Sequence, residues 1–248
     1  MDEIVKATLI LGLLLIVPSA LAAQAEEPKE SPWSGDISMG LSLSRGNSDT
    51  SNVSFTINAS HQLRDSIEWL HSGFFLFGRV GDITNTETYQ LSTRVNWKHT
   101  ERLFSYYEIL GVRDRFKNYS YQILPGVGAG YQVVKHERIT LSLSAGLTEI
   151  INKFYDSGET ASYLGFTLGD KLVWKISESA ELNQKLEWNF DSSQPEHFLA
   201  RWEASLITTL IKSWSVKLTV INRHDSRPVG EGIKKNDFSF LAGISKKF

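Results

Sequence analysis

Lys185, Glu187, Arg201 and Glu203 sit two residues apart within two short segments. If the chain turns back on itself near Gln194, Glu187 meets Arg201 and Lys185 meets Glu203, and all four share the face opposite Leu186, Trp188 and Trp202. Opposite charges facing each other across a hairpin stabilise it by about 0.2–1 kcal/mol per pair. A face made only of such pairs is not an apolar core. By the same alternation Arg94, Lys171, Lys217 and Arg223 project to that side. Two chemistries fit: a charged lumen that selects solutes, or an ion-pair network that fills a narrow barrel. Both stay open on sequence alone.

Other chemistry finds less support. A hydrolase that remodels lipid would bring a Ser and a His into hydrogen-bond reach, with a third group orienting the His. The histidines are His61, His71, His99, His136, His197 and His224, and no spacing among them marks such a site. Adjacency in "HDS" (224–226) is not a triad. No catalytic residue is assigned and no enzyme is expected. The segment "DSGET" (156–160) lacks an EF-hand pattern and reads as polar turn chemistry. With zero Cys there is no thiolate metal site, thiol nucleophile or disulfide framework. No metal or cofactor is expected. "PGVGAG" places Gly126, Gly128 and Gly130 on one face, with Gly146, Gly165 and Gly169 on the inner faces of the following strands. Without a following Lys-Ser/Thr this is not a phosphate loop, and curvature of a closed sheet explains it.

The elements that would position the charges are strands. In "LSLSRGNSDTSNVSFTINAS" (41–60), Leu41, Leu43, Val53, Phe55 and Ile57 alternate with Ser, Thr and Asn. A strand sends successive side chains to opposite faces, so this is a hairpin with one apolar and one polar face. The same pattern predicts strands at 33–44, 52–63, 68–79, 86–98, 102–113, 119–133, 139–151, 161–174, 181–190, 198–210, 215–223 and 236–248. The third and fifth of these are apolar on both faces. The number is even, and most are long enough to cross a bilayer at a tilt. Odd-numbered connections (45–51, 80–85, 114–118, 152–160, 191–197, 224–235) are mostly longer than even-numbered ones, as outer loops are compared with periplasmic turns.

Aromatic residues supply a second signal. Trp33, Trp69, Trp97, Trp174 and Trp214 fall at the ends read as periplasmic, and Tyr89, Tyr119, Tyr121, Tyr155 and Tyr163 near the others. Amphipathic rings collect at headgroup depth, which predicts two girdles. The chain ends on Phe248, after Phe238, Phe240 and Ile244 on the same outer face, as in the assembly signal of outer-membrane barrels; Lys246 stands where such signals are usually apolar.

The 248 residues, 41% hydrophobic with a mean hydropathy of −0.20, hold no series of apolar runs long enough for a helical membrane protein. A net charge of −2 gives no electrostatic case for nucleic acid. "ATLILGLLLIV" (7–17) is an apolar run of leader length, broken by Pro18 and followed by small residues. Residues 1–25 are expected to be a signal peptide cleaved after Ala22 or Ala25, although Asp2 and Glu3 depart from the usual basic start. Residues 26–32 are a polar tether, and 33–248 the barrel.

"GLSLSRGNSDTSNVSF" (40–55) resembles the opening motif of the YdiY-like salt-induced outer membrane protein family (domain of unknown function 481), with Gly46, Asn47, Ser48 and Thr50 matching its turn. "GVGAGYQV" (126–133) resembles the family's Gly-rich strand. The resemblance spans nearly the whole mature chain and implies an outer-membrane barrel. It brings no catalytic residues.

The resulting expectation is an all-β, transmembrane, antiparallel up-and-down barrel of about twelve strands in the outer membrane of a Gram-negative bacterium. Its partners would be outer-membrane lipid, lipopolysaccharide and the barrel-assembly machinery. Arg113, Arg115, Lys117, Lys153, Arg227, Lys234 and Lys235 are placed to meet lipopolysaccharide phosphates. The function is a narrow solute channel or an envelope-stabilising protein linked to osmotic stress. The alternatives are a lipid-modifying enzyme and a soluble periplasmic barrel that binds a ligand in an apolar pocket.

Overall fold

The computed structural model describes residues 32–45, 50–80, 83–230 and 232–248. The expected leader, most of the tether, and Gly46, Asn47 and Ser48 lie outside the described residues. Twelve strands follow in order: β1 (Trp33–Arg45), β2 (Thr50–Arg64), β3 (Ile67–Val80), β4 (Ile83–Lys98), β5 (Leu103–Asp114), β6 (Tyr119–Lys135), β7 (Ile139–Phe154), β8 (Thr160–Lys175), β9 (Ala180–Asp191), β10 (Phe198–Ile211), β11 (Trp214–Asp225) and β12 (Asn236–Lys247). Each pairs antiparallel with its chain neighbours, and β1 pairs with β12 to close the barrel. Thr50, the last residue of the family motif, opens β2 opposite Ser44. Closure leaves no edge, so backbone N–H and C=O groups pair between strands even where no water is present.

The alternation sets the faces. Met39 and Leu41 are 66% and 73% exposed, while Ser38 and Ser42 on either side of them are 7% and 2% exposed. Around the ring, Leu143, Leu147, Leu164, Phe166, Leu168, Trp188 and Ile244 point outward. Ser54, Thr88, Gln90, Asn152, Thr167, Asn189 and Thr219 point into the lumen and are buried. An apolar exterior around a polar interior is the transmembrane arrangement and the reverse of a water-soluble core.

The two strands with apolar residues on both faces have a reason. Phe74 and Leu76 on β3 reach into the lumen and meet Ile221 on β11 and Leu241 on β12 in a buried apolar cluster. On β5, Phe104 and Tyr106 lean against the Gly-rich wall of β6 and β7. A Cβ at Gly128 would come within 2.6 Å of the Tyr106 ring, and one at Gly146 within 2.7 Å of its Oη. Gly130 leaves the same room for Phe104. Curvature was the expected reason for these glycines; making room for two inward rings is a further one.

The two ends differ. Trp33, Trp69, Trp97, Trp174 and Trp214 all project outward at the end that carries the even-numbered turns. There Trp33 stacks on His61 with ring centroids 4.5 Å apart, and Trp69 lies 4.7 Å from His71. At the opposite end Tyr89 and Tyr121 face outward, but Tyr119 and Tyr163 do not. A register shift between Tyr119 and Tyr121 turns Tyr119 inward, and Tyr163 sits opposite the buried Ile150. The second girdle is therefore thinner than the spacing suggested. The contrast in loop length also narrows, because β3 and β4 extend until only residues 81–82 separate them. It persists at 192–197 and 226–235. Phe248 exchanges backbone hydrogen bonds with Gly35 (3.1 Å each way) and lays its ring over that residue, at the β1–β12 seam.

Candidate functional site

The lumen is where strand alternation gathers charge among the described residues. Glu187 stands opposite Arg201 and Lys185 opposite Glu203, the register expected from the turn at Gln194. The ion pairs nevertheless run along each strand. Lys185 Nζ lies 2.9 Å from Glu187 Oε2, and Arg201 Nη2 lies 2.8 Å from Glu203 Oε2. Residues two apart share a face, and long side chains bridge that spacing while their heads turn to the far wall. Arg201 donates from β10 to the Gln90 carboxamide oxygen on β4. Lys185 approaches Glu108 on β5 at 3.8 Å, and Glu108 also holds Arg94 at 3.1 Å. The Arg94 guanidinium covers the Tyr106 ring, 3.8 Å from its centroid. Two sets of contacts thus cross the interior, one joining β9 to β5 and β4 and the other joining β10 to β4.

A second node lies toward the short-turn end. Asp36 accepts from Lys217 Nζ (3.2 Å), Asn58 Nδ2 (3.0 Å), Ser38 Oγ (3.1 Å) and Ser245 Oγ (3.3 Å). Four donors satisfy this carboxylate, so burying it beside a lysine is tolerable. At the other end residues from opposite walls are tied together across the mouth as a roof. Residues Arg115–Lys117 form one 3-10 turn, capped by Asp114 and ended by Asn118 in the left-handed region (φ 64°), which Asn accepts readily. Lys117 Nζ pairs with Asp237 Oδ2 at 2.8 Å, Asn118 Nδ2 donates to the Val229 carbonyl at 3.2 Å, and Tyr119 Oη donates to Asp225 Oδ2 at 3.0 Å. His197 sits beside this roof, 3.6 Å from Asp191 and 3.8 Å from Asp225.

All eight charged residues singled out from the sequence lie on the lumen face by register. Six join the ion pairs above. Lys171 and Arg223 do not. Sequence reading missed Asp36, Gln90, Glu108, Tyr106 and Asp225. Asp36 and Glu108 obey the alternation and were within reach of it; Glu108 was masked because β5 is apolar on both faces. The Arg201–Gln90 contact carries no sequence signal, because closure alone decides which strands confront each other. Of the basic loop residues, Lys117 is bound to Asp237, Arg227 to Glu196 (2.8 Å), and Arg113 to the Tyr155 hydroxyl (2.6 Å).

One Ser–His hydrogen bond exists among the described residues: His99 Nε2 lies 2.9 Å from Ser105 Oγ, on the outer surface at the short-turn end, with Trp97 stacked 6.0 Å away. Among the described residues no hydrogen bond or ion pair links a carboxylate to His99, so the third member of a hydrolytic arrangement is lacking. Among the described residues no three His, Asp or Glu side chains gather as a metal site.

Residues 37–248 match the family described as "Protein of unknown function, DUF481". The NanC porin structure aligns with a TM-score of 0.57 at 11% identity, over 86% of this chain and 100% of that one. An outer membrane channel from Pseudomonas putida F1 aligns with a TM-score of 0.53 at 12% identity, over 92% of this chain and 100% of that one. At such identities the likeness is one of fold: the barrel is built as outer-membrane barrels are. No curated protein matches the sequence.

Proposed function

We propose that this chain, which belongs to the DUF481 family, is a narrow non-enzymatic channel for small hydrophilic solutes in the outer membrane of a Gram-negative bacterium. The observation that carries the reading is the state of the lumen lysines. Lys185 faces inward, yet its side chain remains 44% exposed, and Lys171 beside it is exposed as well. Water therefore reaches the interior wall between β8 and β9. The contacts that cross the lumen set a small bore rather than a wide aqueous pore. Residues 1–25 act in this reading as the export signal, and the Trp-rich end faces the periplasm. A link to osmotic stress rests on the family resemblance alone.

Purified protein in planar bilayers tests the channel. Small, discrete conductance steps are expected, and silence from natively folded barrel would remove the reading. A second reading, an envelope-stabilising plug, draws on the Arg201–Gln90, Lys117–Asp237 and Tyr119–Asp225 contacts, and that silence would favour it.

A further inference from the structure

We infer that the channel is anion-selective, and that Lys171 and Arg223 are the residues that select. The inference rests on the channel reading above and names its solute class.

Two like-charged pairs stand in direct register on the lumen wall. Lys171 on β8 is opposite Lys185 on β9, and Arg201 on β10 is opposite Arg223 on β11. Like charges directly across a ladder repel and destabilise it, so a barrel that keeps two such pairs gains nothing structural from them. In each pair one partner holds acceptors within hydrogen-bond or ion-pair reach and the other holds none among the described residues. Lys185 has Glu187 and Glu108, and Arg201 has Glu203 and Gln90.

Lys171 has neither hydrogen bond nor ion pair among the described residues. The charged side chains that act on it include Glu68, Lys185, Arg94 and Glu181, two of each sign. Arg223 keeps a buried Nη2 with no hydrogen-bond partner, and its guanidinium carbon lies 5.2 Å from the Phe74 ring centroid. A buried guanidinium nitrogen without an acceptor is costly. Arg223 also borders a small cavity at the long-loop end that is shared with Arg45, Lys117, Asp114 and Asp237. Those two acids are already engaged: Asp114 accepts from Thr88 and the 3-10 turn, and Asp237 pairs with Lys117.

At the Lys185–Glu187 pair the ammonium is the more exposed partner, 44% against 17%. Two cationic donors that lack acceptors, one near each half of the path, suit a small anion bearing carboxylate or phosphate oxygens, or a halide.

The reversal potential of the unmodified protein in a potassium chloride gradient decides the matter. A chloride-to-potassium permeability ratio of about three or more is expected from an uncompensated charge in a narrow, low-dielectric bore. K171Q and R223Q should each bring the ratio toward one, and K171E should invert it, while K171R keeps it. A conducting channel with a ratio at or below one overturns the selectivity and leaves the channel standing. A ratio above one that neither K171Q nor R223Q moves overturns the assignment to these residues. Silence overturns the channel and the selectivity together.

Discussion

The Arg201 guanidinium donates to the Gln90 carboxamide across the lumen, from β10 to the opposite wall on β4. Arg201 stays paired with Glu203 on its own strand, so Gln90 serves only the crossing. Gln90→Ala should therefore open the bore without stranding a charge. Single-channel conductance is expected to rise, by up to about twofold if this contact sets the narrowest point. Unchanged conductance would place the constriction elsewhere, with the loop roof as the next candidate.

Asp36 and Lys217 form an ion pair in which the carboxylate takes four donors, with side chains 18% and 11% exposed. Asp36→Asn removes the counter-charge and leaves the ammonium buried. A loss of about 3 kcal/mol is expected, in line with broken buried pairs elsewhere. The temperature at which the folded barrel loses its fast gel mobility should fall. The double variant with Lys217→Met should recover most of the loss, and failure to recover would show that the Asp36 hydrogen bonds to Ser38, Asn58 and Ser245 matter more than the charge.

Gly130 sits where the Phe104 ring occupies the space a side chain would need. Gly130→Ala should cost about 1–3 kcal/mol as an overpacked contact, and Phe104→Ala should suppress that cost in a double-mutant cycle. Additive losses would mean that the glycine serves backbone curvature and not the ring.

Membrane orientation can be tested directly, because the chain has no cysteine. In liposomes, Leu41→Cys should stay unreactive toward a small water-soluble thiol reagent, while Lys171→Cys should react. The opposite labelling would mean that the barrel's interior is its dry side.

Glu196, in the loop 192–197, has its carboxyl held below the usual 4.5 by its own backbone N–H and by the Arg227 guanidinium 2.8 Å away. A depressed carboxyl contributes its tie above the unfolded value and loses it as pH falls through the folded one. Hydrogen exchange at residues 192–197 should therefore be unchanged from pH 7 to 5 and accelerate, after correction for the intrinsic rate, only below 4.5. In Glu196→Gln that step should vanish.

Strand number, strand limits and the choice of faces were legible in the chain itself, because a pleated strand repeats every two residues and this sequence keeps that period almost everywhere. The pairing of Glu187 with Arg201 and of Lys185 with Glu203 followed from one turn position. Alternation was uninformative on β3 and β5, where Phe74, Leu76, Phe104 and Tyr106 put apolar groups on the lumen side to meet a cluster and a glycine wall from distant strands. It misplaced Tyr119, because a register shift of one residue reverses the face. Only the closed tertiary structure decided that Arg201 meets Gln90, that Tyr119 meets Asp225, and that Lys171 and Arg223 form no ion pair among the described residues. Periodicity acts between neighbours, whereas a contact across a lumen depends on where the ring closes, which no local spacing encodes.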